Sequence, residues 1–259
     1  MYKLSIGGST HVGKKRKVNQ DYFEYFIPCN SKEQKKGTLI VLADGMGGYS
    51  GGEIASKMAV KQMLESYYSD KNKNVFKSIN LGFNIANNAI IQKSHDDPTL
   101  KGMGTTMIAI AIKKNKLYCA HVGDSRAYLV SKSGLTQLTQ DHSYIASLIS
   151  KGLITEEEAE THPDRNMITR AVGVKKDLEV DFIKKRIRPK ISPYLLICCD
   201  GLYREVDNKT IANTIFSLKN PQTICDQLIS LANDNGGSDN ITVIVAQFKN
   251  VSLYRRLFP

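Results

Sequence analysis

Several features that would assign this chain to an easy class are missing. In its 259 residues no apolar stretch approaches the length of a membrane helix, and there is neither a tandem repeat nor a long low-complexity tract. The first residues, Met1-Tyr2-Lys3-Leu4-Ser5, lack the basic-then-hydrophobic order of a signal peptide, so a soluble, cytoplasmic protein without a membrane partner is expected. No obvious linker interrupts the sequence, and its length suits one large domain over residues 1–259. Cysteine is sparse: Cys29, Cys119, Cys198, Cys199 and Cys225 are odd in number and form no CxxC pair. Buried free thiols are expected, and no Cys/His cluster supports zinc. Neither Cys198 nor Cys199 opens a phosphate-cradling loop with a following Arg, which argues against a cysteine nucleophile. Acidic residues are the minority, 25 against 36 Lys plus Arg, for a formal charge of +11. Such a balance raises nucleic acid as a partner. The lysines, however, fall in scattered pairs such as Lys113-Lys114 and Lys184-Lys185 without interleaved aromatics, the pattern of a solvated face, and no nucleic-acid partner is expected.

The acids that are present lie in unusual places. Leu39-Ile40-Val41-Leu42-Ala43 runs into Asp44-Gly45-Met46-Gly47-Gly48, an apolar strand delivering a carboxylate into a glycine-rich turn. Glycine lets backbone approach a ligand closely and leaves Asp44 and the Gly45 carbonyl free to coordinate a hard cation. An ordinary turn after a core strand is the bland alternative. But Leu195-Leu196-Ile197-Cys198-Cys199-Asp200-Gly201 repeats the arrangement, and Gly236-Gly237-Ser238-Asp239-Asn240 sets another Asp just before Ile241 to Val245. Buried strands do not need carboxylates at their mouths, whereas an oxygen-ligand cation site needs several that converge. With Asp21 and Asp124 added, the pattern points to a metal-dependent hydrolase.

Arg16-x-x-Asn19-Gln20-Asp21, Asp44-Gly45-Met46-Gly47-Gly48, Gly102-Met103-Gly104-Thr105-Thr106, Gly123-Asp124-Ser125-Arg126, Asp200-Gly201 and Asp239-Asn240 occur in this order across nearly the whole chain. In this the sequence resembles bacterial members of the PPM, or PP2C, family of metal-dependent serine/threonine protein phosphatases. The resemblance implies an α+β fold, a four-layer α/β/β/α sandwich with two central, mostly antiparallel sheets flanked by helices. It also implies two divalent cations, Mn²⁺ or Mg²⁺, one between Asp44, Asp200 and Asp239 and the second between Asp44, the Gly45 carbonyl and Asp21. A third, more weakly held cation would use Asp124 and Asp200, although Gly-Asp-Ser is also a common turn. Asp21, Asp44, Asp200 and Asp239 would be the catalytic acids, and a water or hydroxide bridging the cations would attack phosphorus directly.

Arg16 corresponds to the family's phosphate-binding Arg, a role its planar fork suits; from composition alone it is one more solvated cation in Lys14-Lys15-Arg16-Lys17. Relatives usually carry Asp where this chain has His11, and often Glu where it has Gln20, which reads here as a neighbour of the site. Met46 stands where eukaryotic relatives have a His proposed as general acid, and Met cannot deliver a proton. Tyr49, with an unperturbed pKa near ~10, is a poor substitute, so a water on the cations is the favoured donor. His121 and His142 are assigned structural roles.

Alternation and turn residues predict strands over Leu4 to Ser9, Tyr22 to Ile27, Thr105 to Ile112, Leu117 to Val122, Ala127 to Ser131, Val180 to Ile187, Tyr194 to Cys199 and Asn240 to Ala246. Helices are predicted from Glu53 to about Tyr67, Asn74 to Gln92, Asn208 to Phe216 and Thr223 to Ala232. Residues 141–173 behave differently, with a short helix near Tyr144, a break at Gly152, a capping box at Thr155-Glu156-Glu157-Glu158, and then an aperiodic run in which His162 before Pro163 reads as a turn residue. In the resembling family this stretch is the mobile flap beside the active site, credited with influence on substrate choice and metal binding.

The favoured function is hydrolysis of phosphoserine and phosphothreonine in proteins by a monomer, with a cognate bacterial serine/threonine kinase as the implied partner. Two alternatives remain open here: a catalytically weak phosphoprotein-binding scaffold, and a two-metal nuclease or general phosphomonoesterase. Retention of the whole acid set argues against the scaffold.

Overall fold

The computed structural model describes residues 2–47 and 51–250; Gly48 and Tyr49 lie outside the described residues. Eleven strands are found there: β1 Tyr2–His11, β2 Asp21–Phe26, β3 Thr38–Met46, β4 Gly104–Thr105, β5 Met107–Lys113, β6 Lys116–Val122, β7 Arg126–Ser131, β8 Gly134–Gln137, β9 Asp181–Arg186, β10 Tyr194–Cys198 and β11 Ile241–Asn250. The helices are α1 Ser31–Gln34, α2 Gly51–Ser69, α3 Val75–Asp96, α4 Tyr144–Ser150, α5 Glu156–Thr161, α6 Asp200–Tyr203, α7 Asn208–Ser217 and α8 Pro221–Asp234, with a 3₁₀ turn at Pro98–Leu100. One sheet has the order β1-β11-β10-β7-β8 and the other β2-β3-β5-β6-β9, with β4 attached to β3, and all these pairings are antiparallel.

Why the sheets stack follows from side-chain alternation along buried strands. In β3, Leu39, Val41 and Ala43 pack against α2 and α3, while Ile40 and Leu42 join Ile108 and Ile110 of β5 in the seam between the sheets. In β11, Ile241, Val243 and Val245 face α7 and α8, and Ile244, Ala246 and Phe248 face the seam. Three apolar layers result, helix on sheet, sheet on sheet and sheet on helix, which is the α/β/β/α sandwich. Helix ends are fixed locally: Asn74 caps α3 through Phe76 and Lys77, Asp207 caps α7, and Asn220 with Pro221 opens α8. Met63 is fully buried and Met58 packs beside it, as helix-core residues. Among the described residues no helix is long and apolar enough to cross a membrane.

Local departures from the sequence expectation have identifiable causes. Helix α2 begins within Gly51-Gly52 because both glycines are buried against Met103, Gly45 and Gln20, where a side chain would clash. Strand β8 was not foreseen: Gly134–Gln137 is too short and polar to alternate, and pairing with β7 alone makes it a strand. The expected turn at Asp44 is corrected too. β3 continues to Met46 by changing partners, from β5 along Thr38 to Leu42 to β4 at Gly45 and Met46.

Ile110 is fully buried at the centre of the seam opposite Ile40. Ile110→Ala should therefore destabilise the fold by about 2–5 kcal/mol, read as a lower urea midpoint in equilibrium unfolding.

Candidate active site

The alternation that fills the seam also places the acids. Ile40 and Leu42 point between the sheets, so Asp44, two residues on, points to where the seam opens. By the same count Asp21 continues the face of Phe23 and Tyr25, and Asp21 and Asp44 are direct partners in the β2–β3 register. From the other sheet Cys199 and Thr242 reach the same end. Thr242 donates its hydroxyl to Asp21 Oδ2 at 2.7 Å, while Asp21 Oδ1 is buried with no hydrogen-bond partner. Asp200 opens α6 directly after β10.

Backbone around these acids is held firmly. Thr105 Oγ1 and the Thr106 N–H both donate to the Asp44 carbonyl at 2.8 Å, the Asp44 N–H donates to Thr106 Oγ1, and Thr106 Oγ1 meets Ser125 Oγ at 2.9 Å. The Gly-Met-Gly-Thr-Thr and Gly-Asp-Ser-Arg runs thus act as one brace. Gly45 has no room for a side chain, since a Cβ there would lie 2.0 Å from the Gly52 carbonyl oxygen. Asn240 staples the loop between β1 and β2: its Nδ2 donates to the Val12 and Val18 carbonyls at 2.9 and 3.0 Å, and its Oδ1 accepts from the Gln20 N–H at 2.8 Å. That loop carries Arg16, which forms a 2.8 Å ion pair with Asp239. Gln20 lies beside the site, its carbonyl accepting from the Gly45 N–H, whereas the His11 imidazole bonds to the Gly13 N–H and towards Asn233.

Electrostatics set this cluster apart. Burial pushes Asp44 well above the usual carboxylate range, and the charges of Asp21, Asp200, Asp124 and Asp239 push it further. Burial likewise raises Asp21 to about 6 and Asp124 to about 7, with Asp200 adding to both. Asp200 is raised mainly by burial, against the opposing pull of Arg204 and Arg16. Carboxylates gathered this closely repel one another unless a cation joins them. An orphaned buried oxygen on Asp21 and a set of hard oxygen donors fit Mg²⁺ or Mn²⁺. Cys199 Sγ lies with the Asp21 and Asp44 oxygens, all within 4.8 Å, but burial drives its thiol pKa up and it stays protonated, accepting from the Thr242 N–H.

A second group of ligand-type side chains, His121, His142 and Asp181, also has its atoms within 4.8 Å. Sequence reading found no Cys/His cluster that supports zinc, and it did not foresee this cysteine-free group: the β6–β9 register sets His121 opposite Asp181, and His142 stacks on His121 at 4.8 Å between ring centres. No sequence spacing reveals this, because the register alone creates it. Protons can be assigned from the partners. Gly123 N–H donates to His142 Nδ1, so a neutral His142 carries its proton on Nε2, 3.3 Å from Asp181. His121 Nε2 donates to the Gln140 carbonyl at 2.8 Å. Burial lowers both imidazole pKa values, and Arg170, 2.9 Å from Asp181, supplies the cation of this group. The His142 lone pair is committed to Gly123 while His121 Nδ1 is buried without a partner, so this group offers a nitrogen, and the hard oxygen cluster is the better seat for Mg²⁺ or Mn²⁺.

Residues to which the sequence reading gave no role complete the surroundings. Asp141 holds Arg126 in a bidentate ion pair, Arg126 stacks 3.6 Å from the Tyr203 ring centre, and Tyr203 donates its hydroxyl to the Asp124 carbonyl. Arg204 reaches Asp200 at 3.0 Å and Asp124 at 3.8 Å. Its position four residues beyond Asp200, one helical turn on, was the available signal.

Comparison with known proteins agrees with this architecture. The family model described as Protein phosphatase 2C matches residues 8–232. Protein phosphatase PhpP of Streptococcus pneumoniae is 37% identical over 244 residues, covering 93% of this chain and 96% of that protein. Serine/threonine phosphatase Stp1 of Staphylococcus aureus superposes with a TM-score of 0.87 at 32% identity, covering 96% of both chains. The catalytic domain of the phosphatase PstP, solved in complex with two manganese ions, has a TM-score of 0.82 at 30% identity and covers 96% of this chain and 100% of that one. A two-sheet sandwich with an acid cluster at the open end of its seam defines a metal-dependent phosphohydrolase. The chain belongs to the protein phosphatase 2C family of metal-dependent serine/threonine phosphatases.

Raised carboxyl pKa values mean that the folded metal-free protein binds more protons than the unfolded chain between roughly the ordinary carboxylate pKa near 4 and about 7, so its stability falls as pH rises through that window. Thermal melts in chelator should show a lower Tm at pH 7.5 than at pH 5. Mn²⁺ should raise Tm more at the higher pH, where the carboxylates are free to bind it.

Proposed function

We propose that Asp21, Asp44, Asp200 and Asp239, with the Gly45 carbonyl, form the centre at which this chain hydrolyses phosphoserine and phosphothreonine in proteins. The observation that carries the assignment is the convergence of mutually repelling carboxylates at the mouth of the seam, Asp21 buried with an unsatisfied oxygen and Asp44, Asp200 and Asp239 partly exposed beside it. These residues would hold two divalent cations, Mn²⁺ or Mg²⁺, as the two manganese ions of the PstP structure support. Bound there, the cations supply a water-derived nucleophile at neutral pH and neutralise the phosphoryl oxygens.

What the protein does around them follows from its own contacts. Asp44, fixed through its backbone by Thr105 and Thr106, would be the acid shared by both cations. Arg16 rests against Asp239 until substrate arrives and then turns its fork to the phosphate, an exchange of one carboxylate partner for another anion. Its loop is pinned by Asn240, so Arg16 is delivered to the centre at small entropic cost. Met46 has no proton for the leaving alkoxide. The segment 141–173 serves as the flap, tied at its start by Asp141 to Arg126 and near its end by Arg170 to Asp181. Phosphorylated serine/threonine proteins are the proposed substrates, and a cytoplasmic location beside a cognate kinase belongs to the same reading.

Phosphate release from a phosphothreonine peptide by metal-stripped protein, titrated with Mn²⁺, tests this directly. Activity should appear only with metal, and Asp239→Asn should lower turnover at least about tenfold while the fold persists. Wild-type turnover by that variant at saturating Mn²⁺ would remove Asp239 from the centre. Arg16→Ala should mainly raise KM, and unchanged kinetics would return Arg16 to the solvated surface.

A further inference from the structure

Arg204 commits every arm of its guanidinium. Nε is 3.0 Å from Asp200 Oδ2, and Nη2 donates to the Arg165 carbonyl at 3.1 Å while lying 3.8 Å from Asp124 Oδ2. Nη1 donates to the Asn166 side-chain oxygen. Two of these partners are carboxylates, the buried Asp124 and the partly exposed Asp200, and two lie in the loop after α5, within the segment 141–173. Arg204 is thus a direct polar link between this acid pair and that loop.

We infer that Arg204 is a built-in counter-cation for Asp124 and Asp200 that doubles as a strap on the loop at Arg165 and Asn166, so that a divalent cation at this acid pair and the strapped loop exclude each other. The inference rests on the reading of the acid cluster as a cation centre. Two carboxylates brought together in a buried site require positive charge, and the guanidinium provides it. A divalent cation on the same oxygens meets that requirement instead and repels the guanidinium. Once Arg204 leaves, its donors to Arg165 and Asn166 leave with it, and the loop loses these anchors. Linkage makes the effect reciprocal: whatever pulls the loop away from Arg204 raises the cation affinity of Asp124 and Asp200. Arg suits this position because its fork presents donors to four acceptors at once, which a lysine ammonium on a flexible stem would not reproduce. Arg204 touches neither Asp44 nor Asp21 in any contact of the structure, so it is a positioning residue that sets occupancy and loop placement.

The test counts bound Mn²⁺ by calorimetry and electron spin resonance in wild type, Arg204→Gln and Asn166→Ala, and follows amide hydrogen exchange of residues 162–168 across the same titration. Wild type should take two ions readily and a third weakly, with exchange in 162–168 accelerating as the third binds. In Arg204→Gln the third ion should bind about tenfold more tightly, within the ordinary range of coupling between sites, and exchange should be fast at every Mn²⁺ concentration. Asn166→Ala, which spares both ion pairs, should loosen the loop and tighten the third ion by a smaller factor. Third-ion affinity unchanged in both variants, or wild-type exchange indifferent to the third ion, would overturn the inference while leaving the two-cation centre standing. Failure of wild type to bind any Mn²⁺ would overturn both.

Discussion

Mutual repulsion among buried carboxylates is the constraint to which the rest of this structure answers. Five aspartates from both sheets meet where the seam between them opens, and burial raises Asp44, Asp21, Asp124 and Asp200 above the usual carboxylate range. Such a cluster persists only because the surrounding fold is over-determined. Braces at Thr105 and Thr106, the hydroxyl of Thr242, the Asn240 staple and the cations Arg16 and Arg204 all act on it. Strain of this kind identifies a working site, since a fold selected for stability alone would have placed apolar residues there.

Much of that arrangement was readable from the chain, and for a plain reason. Strand-end aspartates beside glycines are local patterns, and Asp44, Asp200 and Asp239 announced themselves by contrast with the apolar runs next to them. The long helices and most strands were equally visible, because the residues that bury α2, α3 and the core strands recur with the right period. What stayed hidden is what register and packing create. His121 and Asp181 are 60 positions apart and become neighbours only when β6 and β9 pair. Arg126 was visible as the end of a motif, but its clasp to Asp141 and its stacking on Tyr203 depend on the meeting of three elements. β8 has no pattern of its own.

The two ligand-type clusters show how similar side chains are put to different use. Around Asp44 the nearby cations are at the margin, an oxygen is left unsatisfied, and a divalent ion is wanted. Around His121 and His142 the hydrogen bonds from Gly123 and to Gln140 fix the protons, and Arg170 brings the positive charge. The first is built to take something up, the second to hold a segment of chain in place. Each cluster keeps one buried atom without a partner, Asp21 Oδ1 in the first and His121 Nδ1 in the second, so donor chemistry and net charge, more than proximity, separate them.

The pairing of β1 with β11 bears on how the protein comes into being. β11 lies between β1 and β10, Thr242 secures Asp21, and Asn240 fixes the loop that holds Arg16, so residues near position 240 complete a centre whose other parts are made much earlier. During synthesis the acids of β2 and β3 leave the ribosome long before their partners exist. A chain interrupted before residue 239 would lack Asp239, the Asn240 staple and the strand that joins β1 to β10. Assembly of the cluster is therefore a late event, because its first acids wait for a strand made near the other end of the chain.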